Sequence, residues 1–205
     1  MLSTASTVDL AGLLALAAGL GWAAGMRLYL ALFVVGLAGR LGWVDLPNGL
    51  HVLEHAWVLA ATGTLLFVEF FVDKIPYLDS LWDAFHTFIR IPAGAALAAM
   101  AFGAQGPEWQ TAMALLGGAL ATGSHLTKAG GRALINTSPE PLSNIALSAI
   151  EDVVSLSGLW LIFAHPWVML GFLGFFVVLA VWLMPKCWRG FRLILRRKDP
   201  PASSG

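Results

Sequence analysis

An all-α bundle of about six transmembrane helices, with two similar charged helical hairpins packed at its centre, is the fold the sequence predicts. Three observations carry that expectation. The chain of 205 residues is 58 % hydrophobic, with a mean hydropathy of +0.77, which is too apolar for a soluble domain. Proline and glycine divide it into six apolar runs close to the roughly 20 residues that a spanning helix needs. Ionisable residues sit inside several of those runs, where each costs kilocalories unless it pairs, faces water or does chemistry.

The runs follow in order. The first covers Leu10–Gly39, and Arg27 lies near its middle, where an arginine needs a carboxylate such as Glu151 or Asp152. The short amphipathic stretch Leu46–His55 suits a membrane interface. The second run is Ala56–Val72 and the third Tyr77–Ala104, with Pro92 freeing the carbonyl of Phe88 and kinking the helix beside Arg90. The fourth is Trp109–Leu134, the fifth Pro139–His165 and the sixth Trp167–Pro185. Breaks fall at Pro47-Asn48-Gly49, Pro76, Gly106-Pro107, Pro139 with Pro141, and Pro166. Ser138 before Pro139 reads as a helix N-cap. Glycines such as Gly25, Gly36 and Gly39, or Gly117, Gly118 and Gly123, are close-packing positions.

Charge placement predicts orientation. Net charge is zero, yet Lys186, Arg189, Arg192, Arg196, Arg197 and Lys198 crowd one end, while the loops on the other side keep only Arg40. The positive-inside rule then gives both termini to the cytoplasm. Residues 1–190 form one transmembrane domain and 191–205 a basic, disordered cytoplasmic tail. Tryptophans, among them Trp22, Trp43, Trp57, Trp109, Trp160, Trp167 and Trp182, flank the apolar runs as interfacial anchors would. Met1–Asp9 lacks a basic leader region, so the first run is expected to be retained. The lone Cys187 excludes an internal disulfide and a cysteine-built zinc site.

Two segments, about 56–104 and 109–165, look alike. With Pro76 set on Pro141, polar residues fall at Asp79, Asp83, His86 and Arg90 in one, and at Asn144, Ser148, Glu151 and Ser155 in the other. Each series makes a single stripe on a helix face. The preceding helices share Ala61-Thr62-Gly63 and Ala121-Thr122-Gly123, then end in opposite charges, Glu69 with Asp73 and Lys128 with Arg132. A chance match between two amphipathic helices is the plainer reading. The complementary signs favour a parallel repeat whose charges neutralise one another.

Several chemistries fit these residues. Asp79, Asp83, Glu151 and Asp152 supply the hard oxygens that a divalent cation prefers, and His86 would extend the choice to iron or zinc; no cofactor is otherwise implied. Arg27, Lys74, Arg90, Lys128 and Arg132 could instead occupy the same carboxylates as ion pairs. His125, Lys128 and Arg132 could hold a phosphate headgroup or small anion near the next helix N-terminus. His86 and Glu151, equivalent in the two stripes, would exchange protons if they shared a water-filled cavity. An enzyme finds little support, since neither His-Glu-x-x-His nor Gly-x-Ser-x-Gly occurs.

The run Val68-Glu69-Phe70-Phe71-Val72-Asp73-Lys74-Ile75-Pro76, continuing through Asp79, Asp83, His86, Arg90 and Pro92 to Gly94, resembles the bacterial membrane family known as domain of unknown function 4126. Gly25-Met26-Arg27, His125-x-x-Lys128-x-x-x-Arg132 and Asn136-x-Ser138-Pro139 fit the same pattern, and the resemblance covers roughly residues 10–185. It implies a multi-pass protein of the bacterial inner membrane and says nothing of activity. A fainter similarity links Glu69-x-x-x-Asp73-Lys74 to the Glu-x-Gly-Asp-Lys motif of cation/proton exchangers, with the spacing off by one and the glycine missing. The function expected is a small transporter or channel-like protein for an ion or polar solute. Alternatives are a scaffold held by ion pairs, and a lipid-binding or lipid-modifying protein. Expected partners are the bilayer, the small solute and another copy of the chain, with no nucleic acid.

Overall fold

The computed structural model describes residues 10–136 and 141–196, and among them every regular element is helical. Six helices follow one another: α1 Leu10–Arg40, α2 Ala56–Val72, α3 Leu78–Ala101, α4 Pro107–Ile135, α5 Pro141–Ala164 and α6 Pro166–Arg196. A 3₁₀ turn, Asn48–Glu54, precedes α2 and buries Leu50 and Leu53, leaving His51 and Val52 exposed. By length and apolar composition α1, α3 and Leu142–Ala164 of α5 can cross a membrane, and the 3₁₀ turn with α2, bent by 67°, makes a fourth candidate. α2 and α3 turn Phe67, Phe85 and Phe88 outward, and α6 turns out Phe175 and Val178, an apolar exterior suited to lipid.

The six expected runs reappear with small shifts at their ends. Tyr77 adopts φ 67°, a left-handed conformation that cannot continue a helix, so α3 begins one residue later. Gly106 at φ 104° turns the chain into Pro107, the first residue of α4. α6 runs on to Arg196 through Pro185, so 191–196 are helical where a disordered tail was expected. Its Leu and Arg residues there are good helix formers. The N-cap proposed at Ser138 lies outside the described residues.

The first run differs most from expectation. Arg27 has φ −143° and ψ 79°, which breaks α1 into two arms, residues 10–26 and 28–40. Neighbours along the chain show that the arms fold back on each other. Leu10 and Leu14 border a groove with Trp167 and Leu170 at the start of α6. Gly19 then meets Ile162 and Met169, and Trp22 sets its edge on Phe172 and Phe176. Beyond the break the contacts run back: Tyr29 with His86, Phe33 with Gly63, Gly36 with Leu53, and Arg40 Nη1 with the Glu54 carbonyl at 2.9 Å. α1 is therefore a helical hairpin with arms of about 25 and about 20 Å, not one straight span. Residue 10 lies at the face that holds the loops after α1, α3 and α5, whereas α6 starts at that face and runs away from it. The two ends of the described chain so leave by opposite faces, which overturns the expectation of both termini on one side.

This hairpin fills the centre that the two charged hairpins were expected to fill. It packs against all five other helices, and α3 packs on α4, while α2 barely touches α3 and α4 barely touches α5. Every residue from 15 to 31 is buried, because both arms are apolar all round. Trp22 is 2 % exposed, so it belongs to this core and is not an interfacial anchor. Small residues permit the packing: the backbones of Gly21, Gly94 and Gly117 converge, and a Cβ on Gly25 would stand inside Ser124 Oγ and the Ala121 carbonyl. Ser124 Oγ also donates to the Trp22 carbonyl at 2.8 Å, occupying an acceptor near the end of the first arm.

Gly25→Ala should therefore destabilise the detergent-solubilised protein sharply, while Gly130→Ala, with nothing within 4 Å of its new Cβ, should hold or raise the melting temperature. Parallel thermal melts of the two variants check the close approach.

Candidate functional site

The hairpin tip lands in a cluster of opposite charges. Arg27 comes from the break in α1; Glu69 and Asp73 end α2; Asp79, Asp83 and Arg90 line α3; Lys128 and Arg132 occupy the last turns of α4; Glu151 and Asp152 lie on α5. Asp152 is 24 % exposed in its side chain, and the other nine are at most 4 % exposed. Ions so far out of water persist only where each has a partner and further hydrogen bonds.

Asp73 is the hub. Its Oδ2 takes Arg27 Nη1 at 2.6 Å, Lys128 Nζ at 3.2 Å and Arg132 Nη2 at 3.3 Å. Arg27 spreads its other amino group over Asp152 Oδ1 at 2.9 Å, Ser148 Oγ at 3.0 Å and the Ser148 carbonyl at 3.2 Å. Arg132 forks onto Glu151 at 2.5 and 3.3 Å and reaches Asp79 Oδ2 at 3.1 Å and the Asp73 carbonyl at 2.8 Å. Arg90 joins Glu69 Oε1 at 2.5 Å to Asp83 Oδ1 at 2.8 Å, and Lys128 also meets Asp83 at 3.2 Å.

The expected meeting of Glu69 and Asp73 with Lys128 and Arg132 is present, and Arg27 reaches Asp152 as its sequence position required. Both polar stripes, on α3 and on α5, turn inward. Other expectations need correction. Lys74 stays outside the network: its ammonium bonds the Phe70 carbonyl at 2.9 Å and sits 3.1 Å from the Phe70 ring centre. His86 and Glu151 are not partners. His86 stacks on Trp82 at 4.0 Å, donates Nδ1–H to the Trp82 carbonyl at 2.8 Å and accepts the Tyr29 hydroxyl on Nε2 at 3.0 Å. His125 likewise turns from the basic residues and donates from Nε2 to Thr87 Oγ1 at 2.7 Å, since that hydroxyl is spent on the Asp83 carbonyl. With Lys128 and Arg132 engaged by carboxylates, no free basic triad is left for a phosphate. Asn144 and Ser155 are buried without a hydrogen-bond partner for their side chains.

A divalent ion fares no better. Among the described residues no three His, Cys, Asp or Glu side chains converge as a metal would require, because the carboxylates turn toward guanidinium groups and not toward each other. A cavity of about 550 Å³ opens at the opposite face, bordered by Leu13, Leu16, Asp45, Asn48, Gln105 and Phe163, and does not touch the charged residues. Sequence reasoning missed Tyr29, Thr87, Ser80 and the role of Asn136, whose amide bonds Asp79 at 3.1 Å and Ser80 at 2.9 Å. Hydroxyls and amides are ordinary on a helix face, so only their contacts mark them.

The charged cluster and the broken first helix fall inside a single matched segment, since the family description of a domain of unknown function, DUF4126, covers residues 14–186. The chain belongs to that family. No curated protein and no solved structure matches it. For this DUF4126 member, function must be argued from the site itself.

Asp73→Asn should cost roughly 3 to 5 kcal/mol, because three cations lose a shared anion. Combining it with Arg27→Gln should cost less than the two single changes summed, a coupling that a double-mutant cycle in detergent would measure.

Proposed function

We propose that this protein moves an ion or small polar solute across the membrane, and that the charged cluster at the hairpin tip is where it is handled. The observation that carries this reading is the non-helical backbone at Arg27, set deep among four cations and six carboxylates. Broken helices at membrane depth are tolerated where protein or a water-filled path surrounds them, and transporters place their sites at such breaks. Ionisable groups in the same place point the same way.

The fold fits five crossings, α2 to α6, with α1 as a re-entrant hairpin entering from the opposite face. Lys74 and the basic residues from Lys186 onward mark the cluster face as cytoplasmic, against Arg40 alone on the other. Exposed Trp43, Trp57, Trp109, Trp160 and Trp167 gather near that other face as an aromatic belt would. The inner membrane of a bacterium is the location this reading carries with it. A second reading, a scaffold whose charges only hold the helices in register, is favoured by the pairing of every cation and by the distance of the cavity from the cluster.

Proteoliposomes screened with protons, monovalent and divalent cations and phosphate-bearing solutes separate these readings. Transport predicts a flux that Arg27→Gln removes; lipid turnover without flux would favour a lipid-modifying protein, and silence in both assays the scaffold. Reporters fused at the two termini should lie on opposite sides of the membrane; finding them on one side would overturn the re-entrant hairpin.

A further inference from the structure

The charges of the cluster do not balance. Glu69, Asp73, Asp79, Asp83, Glu151 and Asp152 face Arg27, Arg90, Lys128 and Arg132, so with every group ionised six negative charges meet four positive ones. The neighbouring bases do not make up the difference. Lys74 is turned to Phe70. His86 is satisfied as a neutral ring between a carbonyl and the Tyr29 hydroxyl, and His125 Nδ1 is buried with no acceptor for a second proton. An uncompensated charge at this depth is expensive, and a carboxyl in such a place binds a proton or a cation instead.

The contacts single out where. Asp73 has three cations within 3.3 Å; Glu151 is held by the Arg132 fork; Asp79 has Arg132, Asn136 and the Ser80 amide; Asp83 has Arg90 and Lys128; Asp152 reaches solvent. Glu69 is the least compensated. It is 0 % exposed, its Oε1 shares Arg90 with Asp83, Lys128 stands off at 4.0 Å, and its Oε2 has no hydrogen-bond partner. From the packed elements it faces Tyr29 of α1, Asp83, His86 and Arg90 of α3, and Lys128 of α4, with Asp73 one turn along α2.

We propose that Glu69 is a proton-binding site, with the proton carried on Oε2 while Oε1 accepts from Arg90, so that the species exchanged at the cluster is the proton. A metal cation suits the position poorly. It needs several oxygens at once, and among the described residues no three donors converge, whereas Arg90 and Lys128 would repel it. A proton needs one oxygen. This assignment deepens the transport reading and rests on it for its purpose, although the site can be tested without any flux.

The experiment is infrared absorption of the full-length protein in detergent at neutral pH, where exposed carboxyls are ionised. The wild type should show the carbonyl stretch of a protonated carboxylic acid, shifted in heavy water. Glu69→Gln should lose that band and keep the wild-type melting temperature, since glutamine copies the neutral acid. Glu151→Gln should retain the band. Absence of the band in the wild type, its survival in Glu69→Gln, or a melting temperature that falls as far as in Asp73→Asn would each overturn the assignment. A band without proton flux in vesicles would keep the site and remove the transport reading. Flux of another solute without the band would do the reverse.

Discussion

Arg27 meeting Asp73 and Asp152 is the contact on which the rest of the fold depends. A guanidinium at the tip of an otherwise apolar hairpin has no place in lipid, and its removal from water is offset only by carboxylates from two other helices. Once it is seated, the two arms must run side by side through the bundle, and the other five helices must part around them. The backbone break frees peptide groups that an intact helix would use, and the hydroxyl of Ser124 occupies one of the acceptors nearby. The electrostatics of a few atoms thus set the position of the first 31-residue helix.

Packing then decides how closely the arms can be held. In lipid, helices gain little from burying apolar surface against each other, so backbone approach and hydrogen bonding matter more. Gly21, Gly94 and Gly117 let three helices touch at their main chains, and Gly36 lies under the Leu53 carbonyl. The same arrangement explains why α2 and α5 bury few large side chains and turn much of their apolar surface outward.

Much of this was legible in the sequence. Six helices, the prolines and glycines that separate them, and the inward turn of both polar stripes follow from periodicity and composition, because lipid leaves few other solutions for such runs. The pairing of acidic α2 with basic α4 followed from sign alone. The reversal at Arg27 did not. No proline stands there and the flanking residues favour helix, so local propensity points to one long span; the break is imposed by carboxylates 46 to 125 positions away in the chain. His86 was misplaced for a related reason: its stripe position is right, but Tyr29, which reaches it from the returning arm, is adjacent only once the hairpin exists. Lys74 was grouped with the cluster by sequence proximity, although the turn at Tyr77 carries it to the rim.

The hairpin also has a consequence for how the chain is made. Arg27 emerges early from the ribosome, yet Ser148, which it bonds, lies 121 residues later. Until then its charge has no partner from α5, and a continuous apolar stretch of this length is what the insertion machinery accepts as an ordinary span. The first segment to be synthesised is therefore the last to find its seat. Biogenesis must either keep the N-terminal arm waiting at the surface or draw it back after a provisional crossing, once the acidic ends of α2 and α5 have arrived.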